Sequence, residues 1–328
     1  MARGPAPLPL EIPIPASVLN RRRLALRRTV PTEGIGPHRH RRMGQSLEFR
    51  EFRDYQRGDD ARMIDWAASH RMARRVVRTF EAEERRTLFL LLDCRPTMYL
   101  PEGADKLTIA TWIAQALALA AQAEGDRVIV STLFGPRDGA PMTLRPRRGQ
   151  QEMIALGQAL RDAAPRAEAD WQGTGELAVA AISRLFTPAS AVVLISDALF
   201  PIEAPGLVAL AQAAQRSYRS LHLVELDAWP MERAMLSRGP FRLGALGRSG
   251  GSAALREASA AQLAEAEARL AAHRHRLRLA FRGPGLAWPD RPIRWPADPA
   301  PDPAAIAAWF QAAFLSAGAL PALWSRAS

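Results

Sequence analysis

Runs of apolar residues that end abruptly in charged residues recur along the chain. The stretch "LFLLLDCRPT", residues 88–97, ends on an aspartate, the single cysteine, an arginine, a proline and a threonine. An apolar run bounded by charge predicts a strand that is covered on both faces, as in a parallel sheet. Because ligands bind outside the carboxyl ends of such strands, residues 93–97 lie where recognition or chemistry is expected.

Strands and helices alternate after residue 87. Further strands are predicted at "RVIVSTLF", "AVVLISD", "SLHLVELD" and "HRLRLAF", with a short edge strand at "MTLRP". Helical periodicity predicts the intervening helices, at residues 105–124, 150–163, 176–186, 206–216 and 253–273, and a closing helix at "PAAIAAWFQAAFL". The alternation predicts an α/β fold, doubly wound, with a mostly parallel sheet and helices on both faces.

Proline, glycine and arginine mark the expected boundaries. We predict a Pro/Arg-rich arm at residues 1–40, extended over its first twenty residues, and a motif-bearing, β-rich subdomain at residues 41–86. The α/β domain follows at residues 87–316. It contains an irregular, glycine-rich insertion at residues 229–252 and is followed by a tail at residues 317–328.

Composition predicts a globular protein of the cytoplasm. A chain of 328 residues that is 48% hydrophobic is long enough to bury a full core. One cysteine excludes an internal disulfide and fits a reducing compartment. Prolines interrupt the first twenty residues before an apolar stretch of signal-peptide length develops, and no apolar run reaches the length of a membrane span. We therefore expect neither a signal peptide nor a membrane span.

The positive charge of the chain leaves a second function open. Lysine and arginine number 44 against 33 acidic residues, a net charge of +11. Arginine is concentrated in residues 21–50, where it resembles a phosphate-gripping arm, and nucleic-acid binding is the alternative function. The other interpretation is a solvated helix followed by a loop, since no aromatic residues are interleaved for base stacking.

Several enzyme classes are excluded by their missing motifs. The single lysine, Lys106, stands in "ADKLT", so the chain has no P-loop for nucleotide phosphates. Ser249 in "GRSGG" has G-x-S-x-G spacing, but it lies in a glycine-rich loop that follows no predicted strand, so it does not stand in a nucleophile elbow. Cys94 follows an apolar strand with no histidine nearby in sequence and is interpreted as a small packing residue. We therefore predict that the protein is not an enzyme, and we rank a metal-dependent hydrolase last.

Oxygen-bearing side chains follow the predicted strands. Asp93 and Thr97 follow the first strand, Thr174 precedes a helix, and Asp197 follows "AVVLIS". Two carboxylates and two hydroxyls that converge on one sheet edge would suit Mg²⁺, which is the one cofactor that the sequence suggests. The alternative is that the two aspartates cap the helices that follow them.

The arrangement resembles a von Willebrand factor A-type domain with its metal-ion-dependent adhesion site. That site combines D-x-S-x-S after the first strand, a threonine in a middle loop and an aspartate after the fourth strand. Asp93, Thr97, Thr174 and Asp197 match these positions, which the resemblance implies are metal ligands. Arg95 stands where the family has a serine, so one ligand is missing and a guanidinium that repels cations is added. The site is therefore expected to be degenerate.

The segment ahead of this domain carries a longer motif. "LEFREFRDYQRGDDARMIDWAASHRMARRVVRTFEAEE", residues 47–84, resembles the signature of the bacterial domain-of-unknown-function-fifty-eight family, which pairs it with a von Willebrand A-like domain. The matching residues are Glu48, Phe52, Arg53, Tyr55, Gly58, Asp59, Asp60, Arg62, Ile64, Asp65 and Trp66. The resemblance implies an adaptor that works with a MoxR-type AAA+ ATPase. Many members carry membrane helices before the motif, and the apolar pattern of residues 1–46 predicts none here, so membrane attachment is not expected from the resemblance.

Two residue sets keep alternative roles. Asp59 and Asp60 either accept hydrogen bonds in a turn at Gly58 and pair with neighbouring arginines, or form a second carboxylate metal site with Asp65. Arg95 either takes a partner's carboxylate in a bidentate pair or forms an internal salt bridge with Asp93 or Asp197. The leading prediction is a non-enzymatic adaptor that presents its sheet edge to a protein partner.

Overall fold

The computed structural model divides the chain into two compact units, Met1–Val30 with Arg86–Ser328 (the main unit) and Pro31–Arg85 (the small unit). The structure describes residues 7–19, 23–24, 47–56, 64–82, 87–133, 141–146, 150–162, 181–187, 190–199, 209–213, 220–242, 255–280, 286–287, 292–298, 302–315 and 324–325. The predicted Thr174, Gly58, Asp59, Asp60 and Arg62, and most of the arginine-rich segment, lie outside these residues.

The helices and strands are named here in chain order. The helices are α1 (Ala16–Leu19), α2 (Trp66–Met72), α3 (Lys106–Ala123), α4 (Gln150–Asp162), α5 (Trp229–Leu236), α6 (Ala260–Ala280) and α7 (Pro303–Leu315). The strands are β1 (Arg23–Leu24), β2 (Leu47–Asp54), β3 (Val76–Ala82), β4 (Thr87–Leu92), β5 (Arg127–Thr132), β6 (Thr143–Leu144), β7 (Ala191–Ser196), β8 (Ser220–Asp227), β9 (Phe241–Arg242), β10 (Leu255–Arg256), β11 (Leu286–Ala287), β12 (Ile293–Arg294) and β13 (Trp324–Ser325). Residues 181–183 and 209–213 are also helical.

The main unit is built on one mixed sheet. Its strands lie in the order β11-β8-β7-β4-β5-β6, and β12 also pairs with β8. The pairings are parallel except for the antiparallel pair of β5 with β6. The first strand of the sheet in the chain, β4, therefore lies in the middle, and the strand order reverses between β4 and β7. The predicted α/β fold with a mostly parallel sheet is confirmed.

Both faces of the central strand are covered by apolar residues. Leu88, Leu90 and Leu92 point into one core with α3 and α7, while Phe89 and Leu91 point into a second core on the other face. Successive side chains of a strand point to opposite faces, so an unbroken apolar run suits a strand with a core on each side. The second core also holds Ile182, Phe186, Leu210 and Leu277.

The N-terminal segment packs into the main unit, where a separate arm was expected. Leu8, Ile12 and Leu19 are buried in the core that contains α3. Two polar side chains of α3 hold the segment by its backbone, because Gln115 Nε2 donates to Leu10 O at 2.7 Å and Trp112 Nε1 donates to Pro9 O at 2.9 Å. Prolines remove backbone donors but leave these carbonyls available as acceptors.

Two predictions about the C-terminal half are wrong. "HRLRLAF" was expected to form a strand, but α6 continues to Ala280. Leu277 is buried while Leu279 is 46% exposed, so the two leucines do not share a face as they would in a strand. The stretch expected to be irregular at residues 229–252 begins with helix α5, and β9 pairs with β10 beyond it.

The expected tail also takes part in structure, because β13 pairs antiparallel with β1. Residues from both ends of the described chain thus meet in one short ladder. Among the described residues, no helix combines the length and the apolar character that crossing a membrane requires.

The described residues of the small unit form an antiparallel hairpin and one helix. Strands β2 and β3 pair from Leu47↔Ala82 to Asp54↔Val76, with a shift in register between Phe49 and Glu51. Helix α2 lies between the two strands in sequence. Asp65 caps its N-terminus, since its side chain accepts a hydrogen bond from the Ala68 amide at 2.9 Å.

Candidate functional site

The predicted strand-end aspartates are brought together by the pairing of β4 with β7. Leu92 pairs with Ile195, and the Asp93 amide donates to the Ile195 carbonyl at 3.0 Å. Asp93 therefore follows directly on β4 as Asp197 follows on β7, at the point where the strand order reverses. Both aspartates are almost completely buried, with 0% and 1% of their surfaces exposed. Crevices at such reversal points are where open α/β sheets bind ligands.

Arg95 bridges the two aspartates. Its Nη2 lies 2.7 Å from Asp93 Oδ2 and 3.0 Å from Asp197 Oδ1. Its Nε donates to both carboxylate oxygens of Asp93 at 3.1 Å, and its Nη1 donates to the Leu199 carbonyl at 2.8 Å. All three guanidinium nitrogens thus donate within the chain. This geometry fits the interpretation of Arg95 as an internal ion pair better than that of Arg95 as a receptor for a partner's carboxylate.

Lys106 adds a second cation on the far side of Asp197. Its Nζ lies 3.2 Å from Asp197 Oδ2 and 3.3 Å from Glu232 Oε1. Lys106 is the first residue of α3 and is 3% exposed, whereas the side chain of Glu232, on α5, is 29% exposed. Asp93, Arg95, Asp197, Lys106 and Glu232 are called the strand-tip network below.

Backbone and hydroxyl groups complete the strand-tip network. Ser196 Oγ donates to Asp93 Oδ2 at 2.7 Å and accepts a hydrogen bond from the Ala198 amide at 2.9 Å. The Leu199 amide donates to Asp197 Oδ1 at 3.1 Å. The chain turns sharply here because Ala198 takes a left-handed conformation, with φ of 58°. That conformation is unfavourable for a residue with a Cβ, and it places both backbone groups of Leu199 against the network.

The electrostatics of the network keep Asp197 ionised. Burial alone would raise the pKa of Asp197, but the charges of Lys106 and Arg95 and the hydrogen bond from the Leu199 amide hold it below its usual value. Burial would likewise lower the pKa of Arg95, and Asp93 and Asp197 raise it above its usual value instead. The Thr97 hydroxyl helps to lower the pKa of Asp197, although its geometry with the described residues is not that of a regular hydrogen bond.

The network as arranged does not fit a divalent cation. Arg95 Nη2 occupies the place from which a cation would have to bridge Asp93 and Asp197, and Lys106 holds the remaining oxygen of Asp197. A Mg²⁺ ion needs about six oxygen ligands and would stand beside two positive side chains. Within the described part of the chain, no three His, Cys, Asp or Glu side chains are grouped so that they could hold a metal.

The remaining predicted residues that the structure describes lie in the core of the main unit or in the small unit. Cys94 is fully buried in the core, as the packing interpretation expects. In the small unit, Glu48, Phe52 and Arg53 lie on β2. The Tyr55 amide donates to the Arg75 carbonyl at 2.9 Å.

A second group of buried charges was missed by the sequence analysis. Glu225 and Asp227, near the end of β8, are 1% and 3% exposed. Arg274 of α6 lies between them, with Nε 2.8 Å from Glu225 Oε1 and Nη2 2.9 Å from Asp227 Oδ1. Arg278 Nη2 lies 3.2 Å from Glu225 Oε2. The available signal was the spacing of these two arginines, which places them on one face of a helix.

Comparison with known proteins identifies one family. A family model described as "Protein of unknown function DUF58", the domain-of-unknown-function-fifty-eight family, matches residues 51–243, which is more than half of the chain. None of the curated proteins matches the chain significantly in sequence.

Two solved structures are weakly similar. One is an aerotolerance-related membrane protein from Bacteroides fragilis NCTC 9343, with multiple mutations to serines, at 17% identity over 70% of this chain and 100% of that one, with a TM-score of 0.34. The other is the conserved hypothetical protein BatB from Bacteroides thetaiotaomicron, at 15% identity over the same shares, with a TM-score of 0.36. At these TM-scores the likeness supports no conclusion about this chain.

Proposed function

The chain belongs to the DUF58 family, and on that premise we propose that it is a non-enzymatic adaptor that presents the carboxyl edge of its sheet to a protein partner. The partner that the family resemblance implies is a MoxR-type AAA+ ATPase. We further propose that the main unit is a von Willebrand factor A-like domain. Its sheet, numbered in chain order from β4, has the order 6-5-4-1-2-3, with an antiparallel third strand.

The observation that carries this proposal is the strand-tip network at the reversal of strand order. Each of its buried charges faces an opposite charge within 3.3 Å. A general acid or base has to exchange protons with a substrate, and a nucleophile has to reach one. Charges locked to each other in this way instead hold a surface in one shape. That property suits recognition of a partner.

The rim of the edge offers a residue for testing. Leu100 follows the 3₁₀ turn Pro96–Tyr99 that leads away from the network, and it is 38% exposed. Its backbone is fixed on both sides, because its amide donates to the Thr97 carbonyl and its carbonyl accepts from the Lys106 amide. An exposed leucine on a fixed backbone can bury its side chain against a partner without first ordering the chain that carries it.

The experiment measures binding of the purified chain to a purified MoxR-type AAA+ ATPase from the same organism. Leu100→Ser is expected to weaken binding by about tenfold, because burying a leucine side chain against a partner contributes roughly 1.5 kcal/mol. Leu279→Ser is the matched control, since Leu279 is a similarly exposed leucine near the end of α6. No binding by the unchanged protein would contradict the adaptor function. Equal binding by both variants would place the contact away from this edge.

A further inference from the structure

The strand-tip network contains its own counter-charges. Asp93 and Asp197 bring two negative charges into the interior, where they are 0% and 1% exposed, and a buried carboxylate is tolerated only when it is paired. Arg95 and Lys106 bring two positive charges, both in direct contact with the carboxylates. The two side-chain cations therefore balance the charges of the two aspartates, as one divalent cation would.

Arg95 has the connectivity of a bridging ion. One of its nitrogens, Nη2, contacts an oxygen from each aspartate at 2.7 and 3.0 Å. The aspartates come from the two strands that flank the reversal of strand order, so a single group joins the two halves of the sheet at its edge. A surface ion pair would do no such bridging and would be largely solvated.

The position of Lys106 points to the same role. Lys106 is the single lysine of the chain, which otherwise carries arginine as its cation. It is the first residue of α3, where the helix dipole disfavours a positive charge. It is also buried, which costs an ammonium group its hydration. Both costs are offset by the contacts of its Nζ with Asp197 and Glu232.

We propose that Arg95 and Lys106 together replace a divalent cation between Asp93 and Asp197, so that the edge of the sheet holds one fixed state that does not depend on metal. The proposal concerns the charges at the edge and does not depend on which protein binds there. It also assigns to Lys106 a function that the sequence does not reveal, because 91 positions separate it from Asp197.

The first test compares metal binding by the unchanged protein and by the double variant Arg95→Ser with Lys106→Met. Titration of the unchanged protein with Mn²⁺ is expected to show no binding, and its melting temperature is expected to be equal in EDTA and in Mg²⁺. The double variant leaves two buried carboxylates and places a serine hydroxyl at position 95 beside them. Its melting temperature is expected to rise by roughly 5 to 10 °C at Mg²⁺ concentrations about a hundred times the Kd.

The second test uses charge balance and needs no metal. Lys106→Met alone is expected to lower the melting temperature. Adding Asp197→Asn is expected to recover a large part of the loss, because it removes the carboxylate that lost one of its two cations and leaves Arg95 paired with Asp93. Arg233→Met is the control, since Arg233 pairs with Glu267 on the surface at 2.8 Å. Binding of Mn²⁺ by the unchanged protein would overturn the proposal. The proposal would also be overturned if adding Asp197→Asn to Lys106→Met gave no recovery of the melting temperature. This comparison tests the proposal even if the double variant of the first test does not fold.

Discussion

Arg95 shows how much one side chain can determine at a sheet edge. It contacts two buried carboxylates, and the exposed fraction of its own side chain is 16%. Removing the cation from a buried ion pair leaves charge without compensation, which is far more costly than losing a surface pair. The consequence of losing Arg95 is therefore a loss of stability before it is a loss of binding.

For Arg95→Ala we expect the free energy of unfolding to fall by about 3 to 5 kcal/mol. Urea unfolding of the full chain, followed by circular dichroism, measures the change. Arg233→Ala removes an arginine whose side chain is 49% exposed and paired with Glu267, and this control is expected to lose about 0.2 to 1 kcal/mol. Similar losses in the two variants would show that the guanidinium does not compensate the aspartates.

His222 gives the main unit a dependence on pH. It lies on β8 with 5% of its surface exposed, and its Nε2 is 3.0 Å from Ser220 Oγ. Burial lowers the pKa of His222 to about 4. In the unfolded chain the imidazole takes a proton near pH 6.5, so protons favour the unfolded state between these two values. The titration of His222 therefore leaves the free energy of unfolding unchanged above about pH 6.5 and lowers it as the pH falls towards about 4.

The contribution of His222 to this loss is expected to be about 3 kcal/mol, from a shift of roughly two and a half units. Urea unfolding of the unchanged protein and of His222→Gln, measured between pH 7 and pH 4, tests it. The variant should lose less stability than the unchanged protein over this range. Parallel pH profiles would mean that other groups cause the acid sensitivity.

At the scale of elements, α6 is held to β8 by charge more than by apolar packing. Leu263 and Leu277 are its buried apolar residues among those described, while Arg274 and Arg278 reach the buried carboxylates of β8. A helix with so small an apolar face gains little from hydrophobic burial. The ion pairs therefore decide its position.

Arg274→Ala is expected to cost about 3 to 5 kcal/mol, because it leaves Glu225 and Asp227 buried beside one another with less positive charge. Amide hydrogen exchange should also become faster along α6 than in α3. Arg269→Ala is the control on the same helix, since Arg269 is 78% exposed and pairs with Glu265 one turn away. If amide hydrogen exchange in α6 were unchanged after the Arg274 substitution, the ion pairs would not be what holds this helix in place.

In the small unit, Asp65 of the family motif starts α2. Its side chain accepts from the Ala68 amide, and its own amide donates to the Val76 carbonyl at 3.0 Å. Asp65→Ala is therefore expected to destabilise the unit by about 1 kcal/mol, whereas Asp65→Asn keeps the cap and costs less. Thermal unfolding of both variants measures the difference. Equal losses would assign Asp65 a role that needs its charge.

Strands that are buried on both faces could be predicted from the sequence. The apolar runs of β4 and β7 have a core on each face, so they and the aspartates that follow them could be found from sequence. In α6, Leu277 and Leu279 alternate with arginines as the residues of a strand do. This alternation does not show that Arg274 and Arg278 lie on the helix face that pairs with the buried carboxylates of β8. The bridge by Arg95 and the contact of Lys106 with Asp197 depend on pairing between strands far apart in sequence, which periodicity does not encode.

At the scale of the whole molecule, the main unit is assembled from two separate parts of the chain. Residues before the small unit pack on α3, where Leu8, Ile12 and Ile14 are buried. The Gln311 side-chain amide of α7 also donates to the Pro13 carbonyl. The N-terminal segment therefore belongs to the core that the later residues complete.

Removal of residues 1–19 is expected to lower the melting temperature strongly or to make the protein insoluble, because each buried leucine or isoleucine contributes about 2 to 5 kcal/mol. Removal of residues 1–6 is the control, since it deletes none of the side chains named above. Equal melting temperatures for the two truncations would show that the segment does not stabilise the core.

The order of residues in the strand-tip network has a consequence for how the domain assembles. Arg95 stands two positions after Asp93 but 102 positions before Asp197. The cation and its first carboxylate are thus made together during synthesis, long before β7 exists. When β7 later docks beside β4, Asp197 meets a positive charge that is already in place. A domain built this way carries its counter-ion in its covalent chain, and its maturation is expected to be insensitive to the supply of ions around it.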